Sequence, residues 1–190
     1  MPQSTFHTPN LDTFTHLDTL GLTVIGQSIT TKRAILMCRV RELDDYCHQC
    51  GCQGRVRDTV LRRLSHVSLG NRPTLLHIRV RRYTCTGCGQ LWQQDTDAAA
   101  QPRAKLSRTA LYWGVQALVL NHMSISRIAA LLHVSWHTAN TAILAEGQRL
   151  LINDPTRFNG VTTLGVDDSP ARYALCGRYP QYLASYSRWG

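Results

Sequence analysis

No stretch of this 190-residue sequence is apolar for long enough to cross a bilayer. The N-terminus, MPQSTFHTPNLDTF, also lacks the basic start and apolar run of an export signal. A membrane span and a secretory leader are therefore not expected, and the expected location is the cytoplasm. Acids are scarce, with 12 Asp+Glu against 21 Lys+Arg, and none follows Asp168. The net charge of +9 disfavours cationic partners and favours an anionic polymer, for which nucleic acid is the usual candidate. No internal repeat is present. The tail tyrosines lack the Arg/His surroundings that a tyrosine recombinase needs.

The chain does contain seven cysteines. Without an export signal they point to metal or free thiols before disulfides. CHQC (Cys47, Cys50) and CTGC (Cys85, Cys88) are C-x2-C knuckles, each followed by a glycine, Gly51 and Gly89. Two thiolates at this spacing reach one ion if the backbone turns tightly, which a following glycine permits. Together the knuckles supply four sulfurs, a closed set that predicts a structural zinc with no open position for water. Cys52 competes with Cys50 in the CGC run, and His48, His66 and His77 are substitute ligands in principle. Cys38 and Cys176 have no partner pattern and read as free thiols. Four unrelated thiols are the alternative.

Eight arginines lie between Arg55 and Arg82, with one acid, Asp58. In LLHIRVRRYTC, Leu76, Ile78 and Val80 alternate with His77, Arg79 and Arg81, the pattern of a half-buried strand with a basic face. Arg79, Arg81 and Arg82 are candidate phosphate contacts, since guanidinium forks fit phosphate oxygens. The competing reading is a solvated face.

From Ser107 the pattern becomes helical. SISRIAALLHVSWHTANTAI, Ser124 to Ile143, has the layout of a helix-turn-helix. Ser124 and Ser135 are N-caps, and His133 stands where the turn often carries glycine. Ile125, Ile128, Ala129, Leu132, Val134, Ala139, Ala142 and Ile143 form the inner face. Trp136, His137, Thr138, Asn140 and Thr141 are left on the outside of the second helix, with groups suited to base edges and phosphates. Arg127, Lys105 and Arg108 are further candidate DNA contacts. An ordinary helical hairpin is the alternative.

These features predict an α+β chain: a small zinc-ribbon β domain followed by an all-α helix-turn-helix domain. The expected divisions are an N-terminal segment over 1–33, the zinc ribbon over 34–94 and a linker over 95–106. The helix-turn-helix domain then occupies 107–153 and a last segment 154–190.

The ordered set CHQCG, RLSHVSLGNRPTLLHIRVRRYTCTGC, MSISRIAALLHVSWHTAN and LGVDD resembles the ISL-three family of bacterial insertion-sequence transposases, over Leu20 to Asp168. The resemblance implies zinc and helix-turn-helix modules that bind the element's terminal inverted repeats as double-stranded DNA. It also implies that LGVDD opens an RNase-H-like domain, with Asp167 as the first acid of a DDE triad. Family members continue with Glu-His, further strands and the other two acids, where this chain reads DSPARYALCGRYPQYLASYSRWG. The expectation is therefore a transposase truncated at the start of its DDE domain, inactive alone. Mg²⁺ is expected only for an intact DDE domain. A second copy of the chain, or a full-length transposase, is the expected protein partner. The alternative is a stand-alone zinc-ribbon/helix-turn-helix DNA-binding regulator.

Overall fold

The computed structural model describes residues 8–162. The chain divides into two compact units, Met1–Gln148 and Arg149–Gly190. Asp167 and Cys176 lie outside the described residues.

Asn10 opens the first unit by capping a single helical turn, α1 (Leu11–Phe14), through its side-chain oxygen. The Asp12 carboxylate accepts the Val24 amide at 2.8 Å and so ties α1 to β1 (Leu22–Ile29). Strands β2 (Ala34–Val40), β3 (Gly54–Leu69), β4 (Arg72–Cys85) and β5 (Leu91–Gln93) follow. They form one mixed five-stranded sheet in the order β1-β2-β4-β3, with β5 paired to β4. β3 and β4 are a long hairpin turned at Gly70 and Asn71, both at positive φ. β2 runs parallel to β4.

Alternation decides what the sheet buries. Leu36, Cys38, Leu64, Leu76, Ile78 and Val80 face one side, where Leu17, Leu20, Ala99 and Ala100 cover them. Helices α2 (Arg108–Val119), α3 (Ile125–Leu132) and α4 (Trp136–Gly147) gather a second cluster around Val115, Ile128, Leu132 and Ile143. Gly114 lets the helices approach, since a Cβ there would stand 3.0 Å from the Ile143 Cδ1 atom. β3 joins the two clusters: Val67 packs into the helical one, and the Ser68 hydroxyl donates to the Leu131 carbonyl at 2.9 Å.

This architecture corrects the expected fold class. The chain is not a zinc ribbon followed by an all-helical domain. β1 and β2 add to the knuckle-bearing hairpin, so the strands form one mixed sheet; α2 and α3 pack on that sheet and α4 packs on them, within one compact unit. The polar stretch 95–106 contributes buried Ala99, Ala100 and Leu106. Arg62 fastens that stretch, donating to the Thr96 hydroxyl and to the Ala100 and Gln101 carbonyls.

After α4 comes a single π-helical turn, Gln148–Ile152. The second unit continues with turns in which Asp154 accepts the Thr156 amide at 2.8 Å. Among the described residues no helix is long and apolar enough to cross a membrane.

Candidate metal centre and helix pair

The parallel pairing of β2 with β4 places their C-terminal ends at one end of the sheet. To start β3, the chain must pass from the end of β2 across the end of β4, because Gly54 pairs with Cys85. That crossing carries Cys47 and Cys50 over Cys85 and Cys88. The knuckles are built alike: Cys47 N–H donates to the Cys52 carbonyl at 2.9 Å, and Cys85 N–H to the Gln90 carbonyl at 2.8 Å. Gly51 and Gly89 take φ of 72° and 74°, the left-handed turn that each knuckle requires.

Four Sγ atoms meet there, all within 4.8 Å of one another. Cys47 and Cys88 are 3.7 Å apart, Cys50 and Cys85 3.3 Å, and Cys50 and Cys88 3.5 Å. A tetrahedron with Zn–S bonds of about 2.3 Å has S···S edges of about 3.8 Å, so the cluster is slightly tight for a metal such as zinc and of the right form. Backbone N–H groups of Cys88 and Gly87 donate to the Cys85 sulfur and draw its pKa down to about 6. At Cys88 the Gln90 amide favours the thiolate, but the sulfurs of Cys50, Cys85 and Cys47 outweigh it and push the thiol up to about 12. Four crowded sulfurs cannot all ionise without a cation among them, and a divalent metal removes that conflict.

The remaining candidate ligands are engaged elsewhere. His48 contacts Asp44 at 2.7 Å, His66 contacts Ser107 at 2.8 Å, and His77 lies on the sheet. Cys52 is exposed and outside the four-sulfur cluster. Trp92, which sequence reading passes over, lies beside the first knuckle, with its ring centroid 6.4 Å from that of His48. It stacks on Tyr83 with 5.4 Å between ring centroids and donates from Nε1 to the Asp44 carbonyl at 2.8 Å. Its ring lies across Gly54, where a Cβ would meet Cη2 at 2.3 Å. The available signal is the glycine just before the arginine run, on a strand that otherwise carries side chains throughout.

A comparison with protein-family models, with curated proteins and with solved structures finds no match.

In the helix pair, Ser124 caps α3 and Ser135 caps α4, each accepting the amide three residues on. His133 ends α3 at φ 56°, ψ 43°, a left-handed conformation that turns the chain into α4. Ile128, Ala129, Leu132, Ala139 and Ile143 are buried, and Ile125, Val134 and Ala142 pack beside them. Trp136 is 53% exposed, His137 and Thr141 are exposed, and Thr138 and Asn140 are half-buried. The Thr138 hydroxyl is 2.9 Å from that of Ser135, within the cap.

The basic candidates separate. Arg79 and Arg81 are exposed on the sheet face away from the core. Arg82, one residue on, faces the other way and holds Asp58 through two contacts of 2.5 Å. Arg127 is exposed on α3. Arg108 donates to the Asp97 carbonyl at 2.6 Å. Lys105 lines an open groove of about 790 Å³ along β3, with Arg63 and Arg103 and the carboxylates of Asp95 and Asp97. Arg39, absent from the sequence-derived set, stands beside Arg79 on the neighbouring strand. Its signal was the alternation of Leu36, Cys38 and Val40 with Arg39 and Arg41.

Proposed function

We propose that the chain is a zinc-stabilised protein that binds double-stranded DNA, with the exposed side of α4 reading base edges. The fuller form of this reading is the DNA-recognising part of an ISL-three-like transposase, directed to terminal inverted repeats. The carrying observation is the α3–α4 pair. Both helices begin on a serine cap, a left-handed His133 turns the chain between them, and α4 rests on Ala139 and Ile143. Trp136, His137, Asn140 and Thr141 are thereby offered from a packed helix, in the arrangement of a helix-turn-helix recognition helix. The Asn140 amide suits the paired donor and acceptor of adenine in the major groove. Zinc on the four cysteines holds the knuckle end of the sheet and takes no part in chemistry, because all four positions are protein sulfurs.

Selection of bound duplexes from a random pool tests the reading. A recurring sequence is expected, and Asn140→Ala should cost roughly 1–3 kcal/mol on it with little loss on random duplex. Equal weakening on every duplex would remove α4 from the groove. Recovery of a sequence found at the ends of an insertion element would support the transposase form.

A further inference from the structure

The sheet has one face on the core and one face turned away, and the second is charged in a single sense. Register places Leu61 opposite Arg79, Thr59 opposite Arg81 and Arg63 opposite His77 across β3 and β4. Across β2 and β4 it places Arg39 beside Arg79 and Met37 beside His77. Opposed residues share a face, and the alternate positions Leu36, Cys38, Leu76, Ile78 and Val80 are the core. Arg39, Arg63, Arg79 and Arg81 therefore project together from the outer face, and all four are exposed. Asp58 is the one carboxylate on the strands, and its pairing with Arg82 sets it on the opposite face. Asp95 and Asp97 share a groove with Arg63 along β3, so the unbalanced charge centres on Arg39, Arg79 and Arg81. His77 sits among these arginines. Burial first, then the charges of Arg63 and Arg33, lower its pKa, as expected for cations gathered without an anion.

Such a field is costly to leave unpartnered and suits a dense line of negative charge. Side chains two apart on a strand are about 7 Å apart and neighbouring strands about 4.8 Å apart, so the four guanidinium groups form a compact plot. A DNA duplex carries one phosphate per about 1.7 Å of its axis, a charge density that can engage several of them at once. The residues between the arginines are Thr59, Leu61, Met37 and His77. The next rings on this face, Tyr83 and Trp92, are stacked on each other with Tyr83 buried, so neither is a free platform for a row of unpaired bases. Guanidinium groups without base-reading neighbours give affinity and no sequence choice.

We propose that this outer face is a second DNA-binding surface, a sequence-neutral phosphate contact made by Arg39, Arg63, Arg79 and Arg81. It rests on the reading of the partner as duplex DNA, and not on α4 being the reading helix. The two surfaces divide the work: the α4 face has Arg127 as its nearby sequence-derived cation and chooses the site, while the sheet face supplies salt-dependent hold.

The test uses the zinc-loaded full chain, a short random-sequence duplex and a salt titration. Changing Arg39, Arg79 and Arg81 together to Gln should lower the slope of log affinity against log salt by about 2 to 3, near 0.9 per lost phosphate contact. The same three positions changed to Lys should keep the wild-type slope, and that variant guards against a folding defect. A Gln variant with the wild-type slope would overturn the proposal, as would a Lys variant that loses as much as the Gln one. Displacement of the duplex by polyglutamate at equal charge concentration would overturn it in favour of an acidic protein partner. If the slope falls as expected but selection yields no recurring sequence, the sheet face stands and the α4 reading fails. If a sequence is selected but the slope does not move, the reverse holds.

Discussion

Tyr83 is the side chain that the fold treats least evenly. Its ring is buried against Trp92, yet its hydroxyl is the one buried side-chain polar atom among the described residues without a hydrogen-bond partner. A buried unpaired hydroxyl costs stability that the ring alone would not. Tyr83→Phe should therefore raise the unfolding free energy by about 1 kcal/mol, seen as a higher urea midpoint at unchanged slope. A lower midpoint would mean that the hydroxyl is satisfied in solution. Gly54→Ala should act oppositely, by about 1–3 kcal/mol, because its Cβ would enter the Trp92 ring. The two sites differ in how far the sequence reveals them. Cys47 with Cys50, and Cys85 with Cys88, are visible because each knuckle is a local spacing with a local reason. Gly54 and Trp92 are 38 positions apart and meet only through the hairpin, so no local pattern joins them.

At the scale of elements, α2 is anchored to the sheet by a buried pair. Ser107 is its N-cap, accepting the Ala110 amide, and the Ser107 hydroxyl also meets the ring of His66 on β3 at 2.8 Å. Both residues are almost fully buried. Burial pushes the His66 pKa down to about 4 from its ordinary 6.5, against a smaller opposing effect of a hydrogen bond with the Thr15 backbone. The unfolded chain binds a proton below pH 6.5 that the folded chain refuses until about 4. Stability contributed here is fully present above pH 6.5 and falls as pH drops towards 4, by about 3 kcal/mol in total. Comparing wild type with His66→Asn at pH 7 and at pH 4.5 checks this, since acid loss of metal affects both proteins alike. An equal acid sensitivity in the two would remove His66 as a cause. The helices were largely legible beforehand, because caps, an apolar period and a left-handed turn are all written within 20 residues. β4 was legible too, through its alternation. β1 was not: Leu22 and Val24 lie in a stretch rich in Thr, Gly and Ser, and only pairing with β2 gives them a core to face.

The whole molecule shows why the expected order of a zinc ribbon and then an all-helical domain fails, although the four cysteines do come together. A parallel pairing of β2 with β4 is a long-range fact, and no window of sequence contains it. Once formed, it merges the knuckle-bearing hairpin with the N-terminal strands and supplies a core, Leu17 to Ala100, that includes none of the four clustered cysteines. The helical cluster includes none of them either. A metal at the knuckles therefore holds one end of the sheet and does not carry the rest, unlike a finger that is unfolded without its ion. Chelating the metal should leave α2, α3 and α4, and the strands around Leu76 and Ile78, protected from amide exchange. Protection should be lost near the knuckles, over about residues 44–57 and 82–93, where β3 and β4 meet at Gly54 and Cys85. Hydrogen exchange on metal-loaded and chelated protein reads this directly, and Cys85→Ser should reproduce the chelated pattern. Uniform loss of protection across the sheet and helices would show that the two apolar clusters cannot stand without the metal. Because Arg79 lies six residues from Cys85 on the same strand, inside the segment expected to stay paired, the binding to random duplex proposed for the sheet face should mostly persist in the chelated protein. Arg81, next to the fraying end, should account for the part that is lost.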